Sequence, residues 1–381
     1  MTICAVSSSR ADYGLLVSPL RALCADQDFR LRFVLTGQHL VDEAGETSAQ
    51  VRKDGFDVFA EIDMAIAGDD ATGLIASAGR LFDGLAEILS NPAPDLILLL
   101  GDRYEIACCA VAATIAGVPI AHIAGGDITE GAFDDAFRNA ITKMAHLHFV
   151  TNPDAARRVC QLGESADRIH LVGSPGLDLI RTTKLATRDE FFAMLGLPPG
   201  RVNLLATYHP VTLTGDSVAQ AEELLAALET FDEAVILFTG SNADPEARQI
   251  ETRIRAFVSN NPHSRFRSSL GTRHYFSALA HMDAIIGNSS SGFYEAPSFG
   301  IPTVNIGDRQ KGRLKAASVI DCVPQRDAIK TAIDAAVARG RRPTENPYGD
   351  GHASEKIVAV LKSIGDPKML LAKKFVDRPA T

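Results

Sequence analysis

Short apolar runs alternate with longer segments of helical character along the whole chain. Runs such as LILLL and VILFT are apolar without interruption, which is typical of strands buried on both faces of a parallel sheet. The pattern predicts two series of strands, separated by a charged stretch that ends in LPPGR. The first series is predicted at 2–7, 31–36, 57–61, 95–100, 118–123, 147–151 and 169–172, and the second at 203–208, 234–239, 284–287, 303–306 and 319–322.

Each series predicts one α/β domain in which helices cover both faces of a parallel sheet. We therefore expect two Rossmann-like, doubly wound domains, at 1–180 and 202–350, that face each other across a cleft. Residues 181–201 are predicted to form a linker, and residues 351–381 a C-terminal helix that packs back on the first domain. The length agrees with this division, because 381 residues exceed what a single hydrophobic core usually spans.

Composition and charge narrow the class of protein. The chain is 46% hydrophobic and 22% charged, as in ordinary globular proteins. A net charge of −9 argues against a nucleic-acid partner, because that interaction needs a basic face. The six cysteines are scattered and include no C-x-x-C pair, so we expect reduced thiols and no metal site.

Two segments bear on location. The N-terminal residues lack the basic and long apolar segments of a signal peptide. The weakly polar stretch at 106–126 is interrupted by Gly117, Pro119 and His122, which favours a buried helix followed by a strand over a membrane span. The sequence therefore predicts a cytoplasmic protein with no membrane partner.

The residues that follow the predicted strands are unusually polar. Because ligands of open α/β sheets bind beyond the carboxyl ends of strands, these segments are the first candidates for a site. None of them is G-x-G-x-x-G or G-x-x-x-x-G-K-[ST], which argues against hydride transfer from a dinucleotide and against a P-loop ATPase. The segments are SSSRADYG, GDRYE, GGDITEGAFDD, YHPVT, NSSSGFYE and GDRQKGR.

NSSSGFYE points to a nucleotide diphosphate. Small hydroxyl residues where a strand meets a helix expose backbone N–H groups that suit phosphate, and Ser289 and Ser290 add hydroxyl donors. Glu295, about one and a half turns into the expected helix, can accept two hydrogen bonds from a ribose diol. The alternative is a plain helix cap followed by a solvated glutamate. Arg309 and Arg313, after the next strand, favour the phosphate interpretation because they would neutralise the same charges.

Taken in order, six motifs resemble those of the hydrolysing UDP-N-acetylglucosamine 2-epimerases of sialic acid and legionaminic acid biosynthesis. The resemblance implies a GT-B-like two-domain fold, a homodimer or dimer of dimers, a nucleotide-sugar substrate, and no metal or nicotinamide cofactor. It also implies that the nucleoside diphosphate is eliminated from C1 while a proton leaves C2, and that water then adds to the glycal to release the 2-epimer. The motifs are SRADYG, GDRYE, HIAGGDITEGAFDDAFRNAITKMAHLHF, YHPVT, GNSSSGFYEAPSFGIP and GDRQKGR.

The resemblance assigns roles to four residues. Asp102 and Asp134 match catalytic acids of the family, and Arg10 matches the residue that stabilises the diphosphate. His209 matches a histidine near the glycosidic phosphate, where it could protonate the leaving group or donate a hydrogen bond to it. The alternative for His209 is a histidine ordered by the following proline at a strand end.

The remaining carboxylates leave alternatives open. Crowded carboxylates push their pKa values apart, so that one can be protonated while another is ionised. Asp127 is a further catalytic candidate and Glu130 a weaker one, whereas Asp135 and Arg138, three residues apart on a predicted helix, can simply pair with each other.

One departure from the family pattern concerns the sugar. Sialic acid members read HIEGGE, whose first glutamate is a third catalytic acid, but this chain has Ala124 there, and members linked to legionaminic acid often have histidine. Asp127 or Glu130 are candidate substitutes. The resemblance therefore leaves open UDP or GDP, and N-acetylglucosamine or N,N'-diacetylbacillosamine. A glycosyltransferase of the same fold and a non-catalytic nucleotide-sugar sensor stay as alternatives.

Overall fold

The computed structural model describes residues 1–41, 47–66, 70–90, 92–128, 134–210, 216–240 and 246–377. The chain divides into two compact units. The first unit comprises Met1–Leu179 and Tyr348–Thr381, and the second comprises Ile180–Pro347. Each unit is built on one parallel sheet with helices between most successive strands, so the predicted α/β fold with two Rossmann-like halves is confirmed.

The first unit contains seven strands in the described part of the chain. They are β1 Thr2–Ser7, β2 Arg30–Thr36, β3 Val58–Ile62, β4 Leu96–Leu100, β5 Ile120–Ile123, β6 Leu147–Val150 and β7 Ile169–Leu171. The helices of this unit are α1 Arg10–Ala25, α2 Thr47–Lys53, α3 Ala71–Ser90, α4 Tyr104–Ala116, α5 Asp134–Met144, α6 Pro153–Gln161 and, near the C-terminus, α14 Ala353–Ser363. The strand order is β3-β2-β1-β4-β5-β6-β7.

Alternate residues of β1 explain why both faces of this sheet are covered. Ile3 and Ala5 point into a core shared with α1 and α14, while Cys4 and Val6 point into a second core shared with α3 and α4. Because successive side chains of a strand point to opposite faces, a strand buried on both sides must be apolar throughout. Helix α14 packs against α1, so the C-terminal residues complete the first core.

The second unit contains six strands in the described residues. They are β8 Asn203–Thr207, β9 Val235–Thr239, β10 Ser264–Arg267, β11 Ala284–Gly287, β12 Thr303–Ile306 and β13 Val319–Cys322. The associated helices are α8 Arg188–Leu195, α9 Ser217–Leu228, α10 Ala247–Asn260, α11 Gly271–His281, α12 Ser291–Tyr294 and α13 Arg326–Arg339, and α7 Asp178–Thr182 spans the boundary of the units. The strand order is β10-β9-β8-β11-β12-β13.

Each sheet has one point at which the strand order reverses. In the first unit β1 lies between β2 and β4, and in the second unit β8 lies between β9 and β11. At such a switch point the loops after the two strands diverge to opposite faces and leave a crevice, which is where ligands of these folds bind. The residues after β1 and β4, and those after β8 and β11, are therefore the ones to inspect.

The strand predictions agree closely with the structure. All twelve predicted strands occur, with ends displaced by at most two residues. Strand β10 was not predicted, and the segment 181–201, predicted as a linker, contains α8 and falls in the second unit. Among the described helices, none is both long enough and apolar enough to cross a bilayer.

Candidate active site

Arg138 lies at the centre of a polar cluster in the first unit. Its side chain is 7% exposed and pairs with Asp102, which is 23% exposed. Nη1 also donates to Asp135 Oδ1 at 2.9 Å and to the backbone oxygen of Asp127 at 2.8 Å. The Asp135–Arg138 pair expected from their spacing is present, but the same guanidinium also anchors Asp102, so it connects the end of β4 with α5.

Asp102 is one of three carboxylates placed near one another. Burial raises the pKa of Asp102 above its ordinary value, the Arg138 charge opposes this, and the charges of Asp134 and Asp12 raise the pKa further. Asp134 is the first residue of α5 and Asp12 lies in the first turn of α1. We refer to Asp12, Asp102 and Asp134 as the carboxylate cluster. Because like charges repel, the charges of Asp134 and Asp12 favour the protonated form of Asp102.

A second guanidinium borders the cluster. Arg103 Nη2 lies 3.1 Å from Glu105 Oε1, and its Nε lies 3.3 Å from Oε2 of the same carboxylate. The Glu105 side chain is fully buried. The neighbouring charges of Glu105, Asp12 and Asp134 raise the pKa of Arg103, against the effect of its own burial. Arg103 is therefore a fixed positive charge at the carboxyl end of β4.

Asp127 is held by the residues that follow β6. Its Oδ1 accepts hydrogen bonds from Thr151 Oγ1 and Asn152 Nδ2, both at 2.8 Å. The Asp127 carboxylate is thus bonded to the residues that precede α6, while the backbone oxygen of Asp127 accepts from Arg138 Nη1. That Asp127 transfers a proton stays a prediction from the sequence.

The loop after β5 adopts a constrained backbone. Ala124 has a φ of 66°, a left-handed conformation that costs a residue with a Cβ about 1 kcal/mol relative to glycine. Its N–H donates to Phe149 O at 3.0 Å. His122 is buried and bonded to Gly101 O and Thr142, and burial lowers its pKa to about 3, so it is a neutral structural residue.

Arg10 and Glu130 are two further residues that the sequence singled out. Arg10 is exposed at the first position of α1, where its guanidinium can meet a solvent-borne ligand. Glu130 lies outside the described residues. Within the described ranges, three or more His, Cys, Asp or Glu side chains nowhere gather in an arrangement suited to a metal ion.

In the second unit, Asn288 joins the ends of the two switch-point strands. Its Oδ1 accepts from the His209 N–H at 2.7 Å, and its Nδ2 donates to His209 O at 2.8 Å. Gly287 makes this approach feasible, because a Cβ there would lie 1.9 Å from Thr207 O. The loop after β8, with His209, is therefore fixed to the loop after β11.

Arg309 and Gln310 complete this arrangement. Arg309 Nη1 donates to Asn288 O at 3.2 Å and Gln310 Nε2 donates to the same oxygen at 2.8 Å. Burial and, to a smaller extent, the Arg309 charge together lower the pKa of His209 to about 4. His209 is therefore uncharged at neutral pH, and a bound anion beside it would favour its protonated form.

The region around Glu295 differs from the expectation. Helix α12 ends at Tyr294 and Glu295 is its C-cap, whereas the sequence predicted Glu295 inside a longer helix. Pro297 stops the helix because its ring has no N–H and obstructs the preceding turn. So short a helix has a weak dipole, and its end therefore contributes little to the phosphate site that the sequence predicts at Ser289 and Ser290.

Glu295 itself is not a solvated glutamate. Its Oε2 is buried and, within the described residues, has no hydrogen-bond partner. Burial raises the pKa of Glu295 to about 7, its own backbone N–H lowers it, and the Arg313 charge lowers it too. The Arg313 guanidinium lies over the Tyr294 ring, 5.4 Å from its centroid. A buried carboxyl oxygen without a hydrogen-bond donor destabilises the ligand-free protein, and such an oxygen is suited to accept a hydrogen bond from a ligand.

The sequence reasoning missed several residues of these sites. Asn288 and Gln310 were inside quoted motifs but carried no role, and their side chains are buried. Asp12 and Arg103 were likewise quoted without being singled out. Their signal in the sequence was only that they stand within a few residues of a strand end, whereas their importance depends on contacts between separate loops.

The chain is similar in sequence and in fold to known proteins. The family model described as UDP-N-acetylglucosamine 2-epimerase matches residues 21–362. The chain belongs to this family. It is 34% identical over 370 residues to a UDP-N,N'-diacetylbacillosamine 2-epimerase (hydrolyzing) of Legionella pneumophila, with 97% of each chain covered. It is 35% identical over 321 residues to a GDP/UDP-N,N'-diacetylbacillosamine 2-epimerase (hydrolyzing) of Campylobacter jejuni, covering 84% of this chain and 83% of the relative.

Solved structures of UDP-N-acetylglucosamine 2-epimerases share the fold. The Neisseria meningitidis enzyme bound to UDP-GlcNAc has a TM-score of 0.76 at 18% identity, with 96% of this chain and 100% of that chain covered. The Methanocaldococcus jannaschii enzyme has a TM-score of 0.77 at 15% identity, with 95% and 99% covered. The family resemblance drawn from the motifs is thus confirmed, and so is the GT-B-like fold class that it implied.

Proposed function

We propose that the chain is a hydrolysing nucleotide-sugar 2-epimerase that converts UDP-N,N'-diacetylbacillosamine to the free 2-epimer and UDP. The observation that carries this proposal is the carboxylate cluster with its two guanidiniums at the switch point of the first unit, in a chain of this family. Proton transfer at a sugar carbon needs carboxyls of unlike proton affinity, and loss of a diphosphate needs fixed positive charge. The first unit contains carboxyls of this kind together with the fixed positive charges of Arg138 and Arg103.

The proposed reaction has two steps. In the first, a carboxylate takes the C2 proton and the C–H electron pair forms a C1–C2 double bond. The C1–O bond breaks at the same time, and UDP leaves with the electron pair of that C1–O bond. In the second, water adds its hydroxyl to C1 while C2 is protonated from the opposite face. One water molecule is consumed and no oxidation state changes overall.

Asp102 and Asp134 are proposed as the acid/base pair. The pKa of Asp102 is raised by burial and by neighbouring negative charge, which brings a carboxyl closer to the range in which it can both take and give a proton. Asp127 is kept as a third catalytic candidate, although its Oδ1 already accepts two hydrogen bonds. Arg10 is proposed to stabilise the departing diphosphate.

The second unit is proposed to hold the nucleotide. His209 and Arg309 converge on Asn288, where the diphosphate would favour the protonated form of His209 and so make it a donor to the leaving group. Ser289, Ser290 and Arg313 would provide the remaining phosphate donors.

Glu295, with its buried and unpartnered Oε2, is proposed to accept hydrogen bonds from the ribose hydroxyls. Two such bonds to a carboxylate would satisfy an acceptor that the free protein leaves without a donor.

The sugar assignment rests on sequence similarity. The two relatives named for N,N'-diacetylbacillosamine are 34% and 35% identical to this chain, whereas a UDP-N-acetylglucosamine 2-epimerase of Neisseria meningitidis is 27% identical. UDP-N-acetylglucosamine is therefore the second candidate, and a GDP-linked sugar is a further one because the Campylobacter jejuni relative is named for both nucleotides. The cytoplasmic location stays a prediction from the sequence, and the homodimer or dimer of dimers stays a prediction from the resemblance.

The test is product analysis without an acceptor. The purified chain is incubated with each candidate nucleotide sugar alone, and free nucleoside diphosphate and free sugar are quantified by chromatography. We expect UDP and one free 2-epimer in equal amounts from UDP-N,N'-diacetylbacillosamine, and turnover about two to four decades lower in Asp102→Asn. Release that requires an added acceptor would indicate a transferase, and binding without release would indicate a sensor.

A further inference from the structure

Asp12 is a buried carboxylate that the motif comparison left without a role. It is 7% exposed and lies in the first turn of α1. Its Oδ2 accepts a hydrogen bond from Ser8 Oγ at 2.7 Å, and its N–H donates to Ser9 Oγ at 3.3 Å. Ser8 and Ser9 are themselves buried. The carboxylate is therefore held in one orientation, at the carboxyl end of β1.

Three strand ends meet beside Asp12. Strands β1 and β4 are neighbours in the sheet, so the loop that starts at Ser8 lies next to the loop that carries Asp102. A Cβ on Gly37, which follows β2, would lie 2.7 Å from Ser8 O and 3.3 Å from Glu105 Oε1. Glu105 in turn holds Arg103. The Asp12 carboxylate is thus enclosed by the groups that surround the reaction site of the first unit.

The charge of Asp12 is felt at Asp102, at Arg103 and at His39. The Asp12 charge acts to raise the pKa of each of these groups, and at His39 it opposes the larger lowering effect of burial. The groups that face Asp102 come from several elements, and their effects oppose one another: Arg138 favours its charged form, while burial, Asp134 and Asp12 favour its protonated form. Further polar groups nearby are Arg103 and Glu105 at the start of α4, Asp135 on α5 and neutral His122 on β5.

We propose that Asp12 is a positioning residue for the reaction at Asp102: its carboxylate, fixed by the Ser8 hydroxyl, provides the third negative charge beside Asp102 and Asp134. Ala124, after β5, has no carboxylate to provide that charge. Without Asp12, less negative charge would oppose the Arg138 charge, so the ionised form of Asp102 would gain and Asp102 would be a weaker base, while burial and Asp134 would still favour its protonated form. This inference rests on the proposed function, in which Asp102 transfers the proton.

A purely structural role for Asp12 makes a different prediction. A carboxylate in the first turn of a helix stabilises that helix, and the Ser8 bond orders the loop. Asp12→Asn keeps an oxygen that can accept from Ser8 and removes only the charge. Asp12→Ser is a second neutral variant, and Asp12→Glu restores the charge. The matched control is Asp154→Asn, which removes a carboxylate from the first turn of α6, where Asp154 is partly exposed and paired with Arg157.

The first readout is the pH dependence of kcat/KM for release of UDP from UDP-N,N'-diacetylbacillosamine. In Asp12→Asn and Asp12→Ser we expect the limb that reports Asp102 to move to lower pH by about half a pH unit or more. We expect kcat to fall about tenfold while KM changes little, because the charge acts on proton transfer rather than on substrate binding. Asp12→Glu should return the profile toward that of the parent, and Asp154→Asn should leave it unchanged.

The second readout needs no turnover. Carboxyl carbon NMR follows the titration of Asp102 in the full chain, with its signal identified by its absence in Asp102→Asn. A titration of Asp102 at lower pH in both neutral variants supports the proposal. An unchanged titration in folded neutral variants overturns it and leaves Asp12 a residue that only orders the first turn of α1. If the parent releases no nucleoside diphosphate from any nucleotide sugar, the proposed function fails, while the NMR titration still decides the effect of Asp12 on Asp102.

Discussion

Glu295→Gln should make the ligand-free protein more stable at alkaline pH and at the same time weaken nucleotide binding. The buried Oε2 of Glu295 has no partner among the described residues, and the nearby Arg313 charge only partly offsets the cost of ionising this carboxyl. Glutamine fills nearly the same volume and is never charged. The substitution therefore removes the cost of a buried charge without opening a cavity.

The magnitude follows from the pKa. Burial raises the pKa of Glu295 from 4.5 to about 7, and each pH unit of difference is worth about 1.4 kcal/mol. Since the folded state binds this proton more tightly than the unfolded chain does, the contribution to stability is fully present below pH 4.5 and is lost as the pH rises through 7. At pH 8 the parent should therefore have lost about 3 kcal/mol of the stability that it has below pH 4.5, whereas the glutamine variant loses none through this position.

The assay is urea denaturation of parent and variant at pH 5 and at pH 8. The difference in free energy of unfolding between the two proteins should widen by about 2 kcal/mol over that interval, while other titrating groups cancel in the comparison. Glu345→Gln, which makes the same chemical change at an exposed position of the second unit, is the matched control. A difference that stays constant with pH would show that the Glu295 carboxylate ionises without penalty, and the burial argument would fail.

Calorimetry with free UDP and free GDP completes the test. If the Glu295 carboxylate accepts the ribose hydroxyls, Glu295→Gln should weaken binding of the preferred nucleotide by about 1.5–3 kcal/mol, the range for hydrogen bonds to a charged group. A variant that is stabilised at pH 8 but binds the nucleotide as tightly as the parent would move the ribose site elsewhere.

Three further substitutions test other parts of the structure. Ala124→Gly should raise the free energy of unfolding by about 1 kcal/mol, because the left-handed backbone at that position suits glycine, and denaturant melts measure it. Glu164→Gln should lower the free energy of unfolding by about 3 kcal/mol, because two lysines and a histidine converge on that buried carboxylate and would lose their partner. The control is Glu251→Gln, in an exposed helical pair, which should change the free energy of unfolding by less than about 0.5 kcal/mol. Arg309→Gln should raise the pKa of His209 from its value of about 4, since the arginine charge helps to lower it, and imidazole proton NMR across pH 3–8 would show an unchanged titration if that explanation were wrong.

The strands could be predicted because burial on both faces of a parallel sheet forces nearly continuous apolar runs. Strand β10 escaped for the opposite reason. It lies at the edge of its sheet and reads SRFR, with Arg255 over the Phe266 ring, and edge strands tolerate charged residues because one side of them is open to solvent.

The candidate site was predicted in part. Asp102 and His209 could be picked out because they follow switch-point strands, whose ends topology alone brings together. Arg309 follows β12, the neighbour of β11 in the sheet. The burial of Asp12 and of Glu295 Oε2 depends on which loops close over them, and neighbouring residues in the sequence carry no sign of it. The sequence therefore indicates the loops that follow the strands as candidates, but it does not indicate which carboxyls in those loops are buried.

The central claim is that a proton leaves and returns at C2, and isotope incorporation tests it most directly. UDP-N,N'-diacetylbacillosamine is converted by the purified chain in heavy water, and the released sugar is examined by proton NMR and mass spectrometry. The account predicts one deuterium at C2 of a sugar with inverted configuration at that carbon, together with an equal amount of UDP. A released sugar that keeps its original proton and configuration at C2 would show simple hydrolysis at C1 and would contradict the account.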